Sequence, residues 1–394
     1  MLIRANHFQT GLPCDVKLLD GRIASLSRCS KTNRPDLHAD LIAPAYFDLQ
    51  INGALGVNLT SSTLTLHDIE RVIEACADHG IAAFCPTIIT SSNDTILHSM
   101  QTLAKACESH PGIQQSMPCF HLEGPFLSPD DGPRGAHPRQ HVQAPNWDLV
   151  KRWQHAAGGR IKLLTLAPEL PGALPLIETL VKHQIIPAIA HSTASPPIIR
   201  DAIAAGARLS THLGNGCARL IPRHDNPLWE QLASDELQAS FIPDGHHLPW
   251  SLVRCILRCK SLERLIITCD ASPLAGLPPG KFSNWEQEVE ITSDGKCLLA
   301  KQGVLAGSWD FTDTCIEKLM LHQQLSYHEV HPLASDHPRK LLNLPVPTLE
   351  NNQPANLVLL TKDAAGNLKH SHSIIQGKLT PMPPTAAPAS DAAR

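Results

Sequence analysis

The sequence predicts a (β/α)8 barrel carrying a small β domain built from its two ends, and three observations predict it. Eight short apolar runs, each closed by a polar or turn residue, alternate with helical patterns at the spacing of βα units. Residues capable of chemistry recur at the ends of those runs along the whole chain, as they do at the C-terminal face of a barrel. No glycine-rich phosphate loop follows the first run, although an open doubly wound sheet would normally offer one there.

The runs, in order, are Tyr46 to Leu49, Ala82 to Cys85, Cys119 to Leu122, Lys162 to Leu166, Ile186 to Ala190, Ala207 to Ser210, Ala239 to Ile242 and Leu265 to Cys269. The fourth and eighth are the clearest strands, and the second and sixth the weakest. Helical patterns lie between them. One spans His67 to His79 and is closed by Gly80; another spans Pro196 to Ala205, with prolines in its first turn and Gly206 after its last.

The first forty or so residues break this rhythm. Val16 to Leu19 and Arg22 to Leu26 flank Asp20-Gly21, a hairpin signal. Ala355 to Leu360 and His372 to Ile375 flank a turn-rich stretch near the other end, so the two ends are expected to form one domain. The resulting boundaries are a small β-sandwich over 1–43 and 346–380, a barrel over 44–345, and a disordered Pro- and Ala-rich tail over 381–394.

Composition narrows the partners. The chain has 394 residues, 18% of them charged, with a net charge of -4 and no basic cluster, which argues against nucleic acid and membrane surfaces and favours a small molecule. The opening residues lack the order of a signal peptide, and no run of some 18 apolar residues occurs, so a cytoplasmic protein is expected. Twelve cysteines without a CxxC pair fit a reducing compartment, where they serve as small buried hydrophobes.

The ends of the runs carry the chemistry. The third run leads into Glu123, the fifth into His191, the sixth into His212 and the eighth into Asp270. One carboxylate and two imidazoles are a suitable ligand set for a borderline divalent ion, while the fourth group can activate water beside it. Each has a plainer reading: the chain holds 22 histidines, and Asp270 could simply cap a following turn. The coincidence of all four at strand ends favours a site. Turn-rich segments follow three of the runs: His121 to Pro138, Thr211 to Gly216 and Asp244 to His247. His137 and His246 could each be ordinary loop residues there.

These segments come in an order that resembles the N-acetylglucosamine-6-phosphate deacetylases of the amidohydrolase superfamily. Ala43 to Gly53, Pro86 to Ser91, His121 to Phe126 with Gly135 to Pro138, and Leu305 to Ser308 all look like that family's blocks, so the resemblance covers nearly the whole chain. It implies Glu123, His191 and His212 as ligands of one divalent metal ion per subunit, with zinc leading and iron an alternative, and Asp270 as the catalytic base. It further implies that His137, Asn215, Gly216, Arg223, His247 and Leu305 contact an amino-sugar phosphate. A homodimer is also implied, with Arg223 and His247 reaching across from the second subunit. Gln50-Ile51-Asn52 stands where many amidohydrolases carry His-x-His, which points to a single metal. Asn215-Gly216-Cys217 departs from the family's Asn-Ala-Met, leaving open another N-acyl sugar, an N-acyl amino acid or a cyclic amide as substrate. A sugar-phosphate-binding regulator without catalysis is the remaining alternative.

Overall fold

In a computed structural model of the chain, which describes residues 1–30, 32 and 34–381, eight parallel strands follow one another in sequence order around a nearly closed barrel. They are β1 (Tyr46–Ile51), β2 (Ile81–Ile89), β3 (Phe120–Glu123), β4 (Ile161–Leu166), β5 (Ile186–Ile189), β6 (Leu209–Ser210), β7 (Gln238–Phe241) and β8 (Leu265–Ile267). The helices that follow them are α1 (Leu66–Asp78), α2 (Asn93–Ser109), α3 (Trp147–Ala156), α4 (Ala173–Lys182), α5 (Pro196–Ala205), α6 (Pro227–Ala233), α7 (Trp250–Cys259) and α8 (Thr312–Gln323).

Local signals set these elements. Thr65 caps α1 through a reciprocal pair with Asp68, and α5 starts on prolines and stops at Gly206, whose φ of 118° only glycine adopts freely. Packing then fixes the barrel. Phe47, Leu49, Ala83, Cys85, Leu163, Ala188, Leu209 and Ile266 fill its interior, and a larger apolar cluster joins the strands to the surrounding helices. Burying each large apolar side chain contributes roughly 1.5–3 kcal/mol.

The seam between β8 and β1 is closed by polar groups. Asp48, fully buried on β1, accepts from the Cys269 amide at 2.9 Å and from the hydroxyls of Thr268 and Thr312. Asn52 N donates to Ala271 O at 2.9 Å, so the chain just after Asp270 is pinned to the chain just after β1.

The two ends of the chain meet in one seven-stranded sheet, in which the strand Leu37–Pro44 pairs antiparallel with Leu357–Lys362. Ile3, Val16, Ile23, Ile42, Leu357, Leu359 and Ile374 are buried together on one face. Val358, Leu360 and Ile375 face the barrel's cluster on the other. The Asp20-Gly21 turn joins its expected strands, both residues having positive φ as such a hairpin requires. The tail expected over 381–394 lies, after Pro381, outside the described residues.

The second run, one of the two weakest in sequence, is a nine-residue strand buried throughout. One element lies outside the sequence reading. A four-stranded antiparallel sheet, comprising Gly280–Asn284, Gln287–Ile291, Lys296–Leu299 and Val304–Ser308, is inserted between β8 and α8. Its last strand docks on the barrel: Ser308 N donates to Asp270 O at 2.8 Å, and Ser272 N to Ser308 O at 2.9 Å. Gly307 permits this approach, since a Cβ there would sit 2.9 Å from Asp270 O.

Candidate active site

Glu123 is the last residue of β3, while His191, His212 and Asp270 follow the ends of β5, β6 and β8 by two or three residues. Those three have φ values of 51°, 36° and 53°. The left-handed backbone turns the chain sharply at each strand end, a strained conformation that persists only where surrounding structure enforces it. Here it sends the side chains into one cavity at the C-terminal mouth of the barrel.

Glu123, His191 and His212 converge there, all buried. His212 Nε2 is 2.9 Å from Glu123 Oε1, His191 Nε2 is 3.4 Å from the same oxygen, and the two Nε2 atoms are 3.1 Å apart. A tetrahedral ion with bonds of about 2.0–2.1 Å separates its ligands by roughly 3.3 Å, so this spacing fits a borderline divalent cation. His191 Nδ1 donates to the Pro133 carbonyl at 2.7 Å, which fixes the ring with Nε2 turned toward Glu123. Burial opposes the charge of Glu123, but the imidazoles of His191 and His212 beside it outweigh that cost and hold the carboxyl well below its usual range. Glu123 is therefore an anion ready to bind a cation.

Asp270 meets a different environment. Burial, and next the Glu123 charge, push its carboxyl up to about 7, so it exchanges a proton near neutrality. Asn52 Nδ2 donates to its Oδ1 at 2.7 Å, and Gln50 Nε2 donates to Glu123 Oε1 at 3.0 Å. The two amides thus orient the two carboxylates. His137 lies over the cluster, with Nε2 3.2 Å from His191 Nε2 and Nδ1 3.0 Å from the Thr90 hydroxyl. Burial, followed by the neighbouring His191, pushes it down to about 3, so the ring is neutral.

The cavity measures about 310 Å3, within the range of small-molecule sites. It is lined by Glu123, His137, His191, His212, Asn215, Gly216, His247, Asp270 and Leu305, which brings most of the sequence-predicted site together. His247 lines this chain's own cavity. Its Nδ1 bonds Asp244 Oδ2 at 2.6 Å, and that carboxylate, against the cost of burial, raises the imidazole above its ordinary value. His246 is not among the lining residues. Nor is Arg223: its side chain is exposed, and its carbonyl accepts from Trp229 Nε1 at 3.0 Å.

Sequence reasoning missed Asn52 and Gln50 as positioning groups, Asp244 behind His247, and Arg219 and Trp285 in the cavity wall. Asp244-Gly245 after a strand was a visible turn signal, but the other roles depend on partners far along the chain.

The human N-acetylglucosamine-6-phosphate deacetylase is 31% identical over 343 residues, which cover 83% of this chain and 81% of that protein. This chain belongs to the N-acetylglucosamine-6-phosphate deacetylase family. An N-acetylgalactosamine-6-phosphate deacetylase from Escherichia coli O157:H7 is 29% identical over 84% of this chain and 85% of its own. Among solved structures, a mutant N-acetyl-D-glucosamine-6-phosphate deacetylase from Mycobacterium smegmatis in complex with N-acetyl-D-glucosamine-6-phosphate superposes with a TM-score of 0.86. It is 24% identical and the match covers 96% of this chain and 98% of that one, which shows the shared fold. No family model matches the chain. No helix among the described residues is long and apolar enough to cross a membrane.

Proposed function

We propose that the protein hydrolyses the N-acetyl group of N-acetylglucosamine 6-phosphate, releasing acetate and glucosamine 6-phosphate. The observation that carries this reading is the convergence of Glu123, His191 and His212 with a carboxyl group poised near neutrality, at the mouth of a barrel whose relatives are named for that reaction. We infer that the bound ion is zinc, since two imidazoles and one carboxylate suit it, with iron an alternative. Bound at Glu123, His191 and His212, it supplies Lewis-acid polarisation of the amide carbonyl and acidifies water.

The chain's own residues do the rest. Asp270 accepts the proton of the attacking water, held for the task by Asn52, and returns it to the amide nitrogen as the C–N bond breaks. The proton thus moves from water to the leaving amine, and the hydroxyl stays on the acetyl carbon. Neutral His137, over the same cluster, is placed to hydrogen-bond the acetyl oxygen as it gains charge.

A homodimer is part of the reading. Leu220 is 92% exposed, beside exposed Arg223, and Trp229 of the next helix is half exposed. A second copy would cover this apolar segment and bring Arg223 to its cavity. A cytoplasmic setting fits twelve cysteines that are all unpaired in the structure.

The Escherichia coli relative supports a second reading, in which the substrate is the galactose epimer. Initial rates of acetate release from N-acetylglucosamine 6-phosphate, N-acetylgalactosamine 6-phosphate and N-acetylglucosamine test both. The highest kcat/KM is expected on the first; a faster rate on the galactose epimer replaces it, and inertness toward all three removes the reading.

A further inference from the structure

Arg219 lines the cavity and is the lone arginine or lysine among its described lining residues. It lies in the loop after β6, seven residues beyond His212, at a position where the chain is exposed. The deep end of the cavity, by contrast, consists of buried Glu123, His212 and Asp270. Arg219 therefore marks the mouth, opposite the acetamide-binding end.

The side chain is held there. Its Nη2 donates to Gln302 O at 2.7 Å, and Gln302 precedes Gly303, Val304 and Leu305, which also line the cavity. This bond links the loop after β6 to the inserted four-stranded sheet. A guanidinium has five N–H donors in a planar fork, and one bond to Gln302 leaves others for an anion. Arg223 is absent from this chain's cavity wall, and His247, the remaining cationic candidate, lies against Asp244, whose charge it balances.

We propose that Arg219 recognises the substrate's phosphate from within the same chain and determines the preference for a phosphorylated sugar. The proposal rests on the deacetylase reading above. It assigns the phosphate contact to a residue fixed on the cavity's own wall, whether or not a second copy adds Arg223.

The test compares the wild-type protein with Arg219→Gln, loaded with zinc, on N-acetylglucosamine 6-phosphate and on N-acetylglucosamine. The readout is the ratio of the two kcat/KM values. Losing a charge-assisted contact to a phosphate should lower that ratio about 10- to 100-fold, chiefly through KM. A ratio equal to the wild type's overturns the proposal, including the case in which both substrates slow together. Calorimetric binding of glucosamine 6-phosphate, which needs no turnover, separates this from failure of the deacetylase reading. Wild-type binding that weakens by a similar factor in Arg219→Gln supports the anion site even if acetate is not released, and binding unchanged by the substitution overturns it.

Discussion

Replacing Asp270 by Asn should make the metal-free protein more stable and the loaded enzyme nearly inactive. The carboxyl ionises at 3.8 in an unperturbed setting and at about 7 in the fold, chiefly because it is buried and next because Glu123 is nearby. A raised carboxyl pKa means that the folded state holds the proton more tightly than the unfolded chain. This carboxyl's contribution to folding stability therefore falls as the pH rises from about 4 to about 7, then levels off. The shift is roughly three pH units, so the ionised carboxylate opposes folding by up to about 4 kcal/mol above neutrality.

An Asn side chain keeps an oxygen that can accept from Asn52 Nδ2, so the 2.7 Å bond survives while the charge goes. Urea unfolding of chelator-treated wild type and Asp270→Asn, at pH 5 and pH 8, measures the difference. The variant's advantage should widen by roughly 2–3 kcal/mol between the two pH values. Acetate release by the metal-loaded variant should drop about 10²- to 10⁴-fold, the usual contribution of a general acid-base group. An advantage that stays constant or shrinks toward pH 8 would refute the electrostatic account of Asp270, and normal turnover would refute its role.

Two further substitutions probe the cation site. Glu123→Gln removes the anion from the ligand set while keeping its shape, so metal retained after dialysis should fall to under about a tenth of an equivalent, with activity falling in parallel. Elemental analysis of the dialysed protein checks this. Gly216→Ala places a Cβ 2.8 Å from His191 Nδ1, at a φ of 61° that alanine disfavours. It should destabilise the fold by about 1–2 kcal/mol and displace the His191 ring, read as a lower melting temperature together with weaker zinc binding.

The parts of the site that could be read from sequence share one property: each ends a strand or lies within three residues of its end. Glu123, His191, His212 and Asp270 stood out because an apolar run ended on a group able to bind a metal or move a proton. Even β6, only two residues long, was located by the polar residues after it. The inserted sheet was missed although Asp294-Gly295, between the strands bearing Val289 and Ile291 and those bearing Cys297 and Leu299, is an ordinary hairpin signal. Asn52 and Arg219 could not be found that way. Asn52 acts on a carboxylate 218 positions away, and Arg219 is tied to a carbonyl 83 positions away, so their roles exist only once the barrel has closed. Arg223 differs again: the resemblance implies a contact reaching from a second subunit, and its side chain lies outside the cavity of the chain that carries it.

The most direct test of the account is acetate release from N-acetylglucosamine 6-phosphate by the purified protein, with bound metal counted in the same sample. Multiple turnovers are expected at about one divalent ion per chain, lost on chelation and restored by zinc. Full metal occupancy at Glu123, His191 and His212 without acetate release would contradict it.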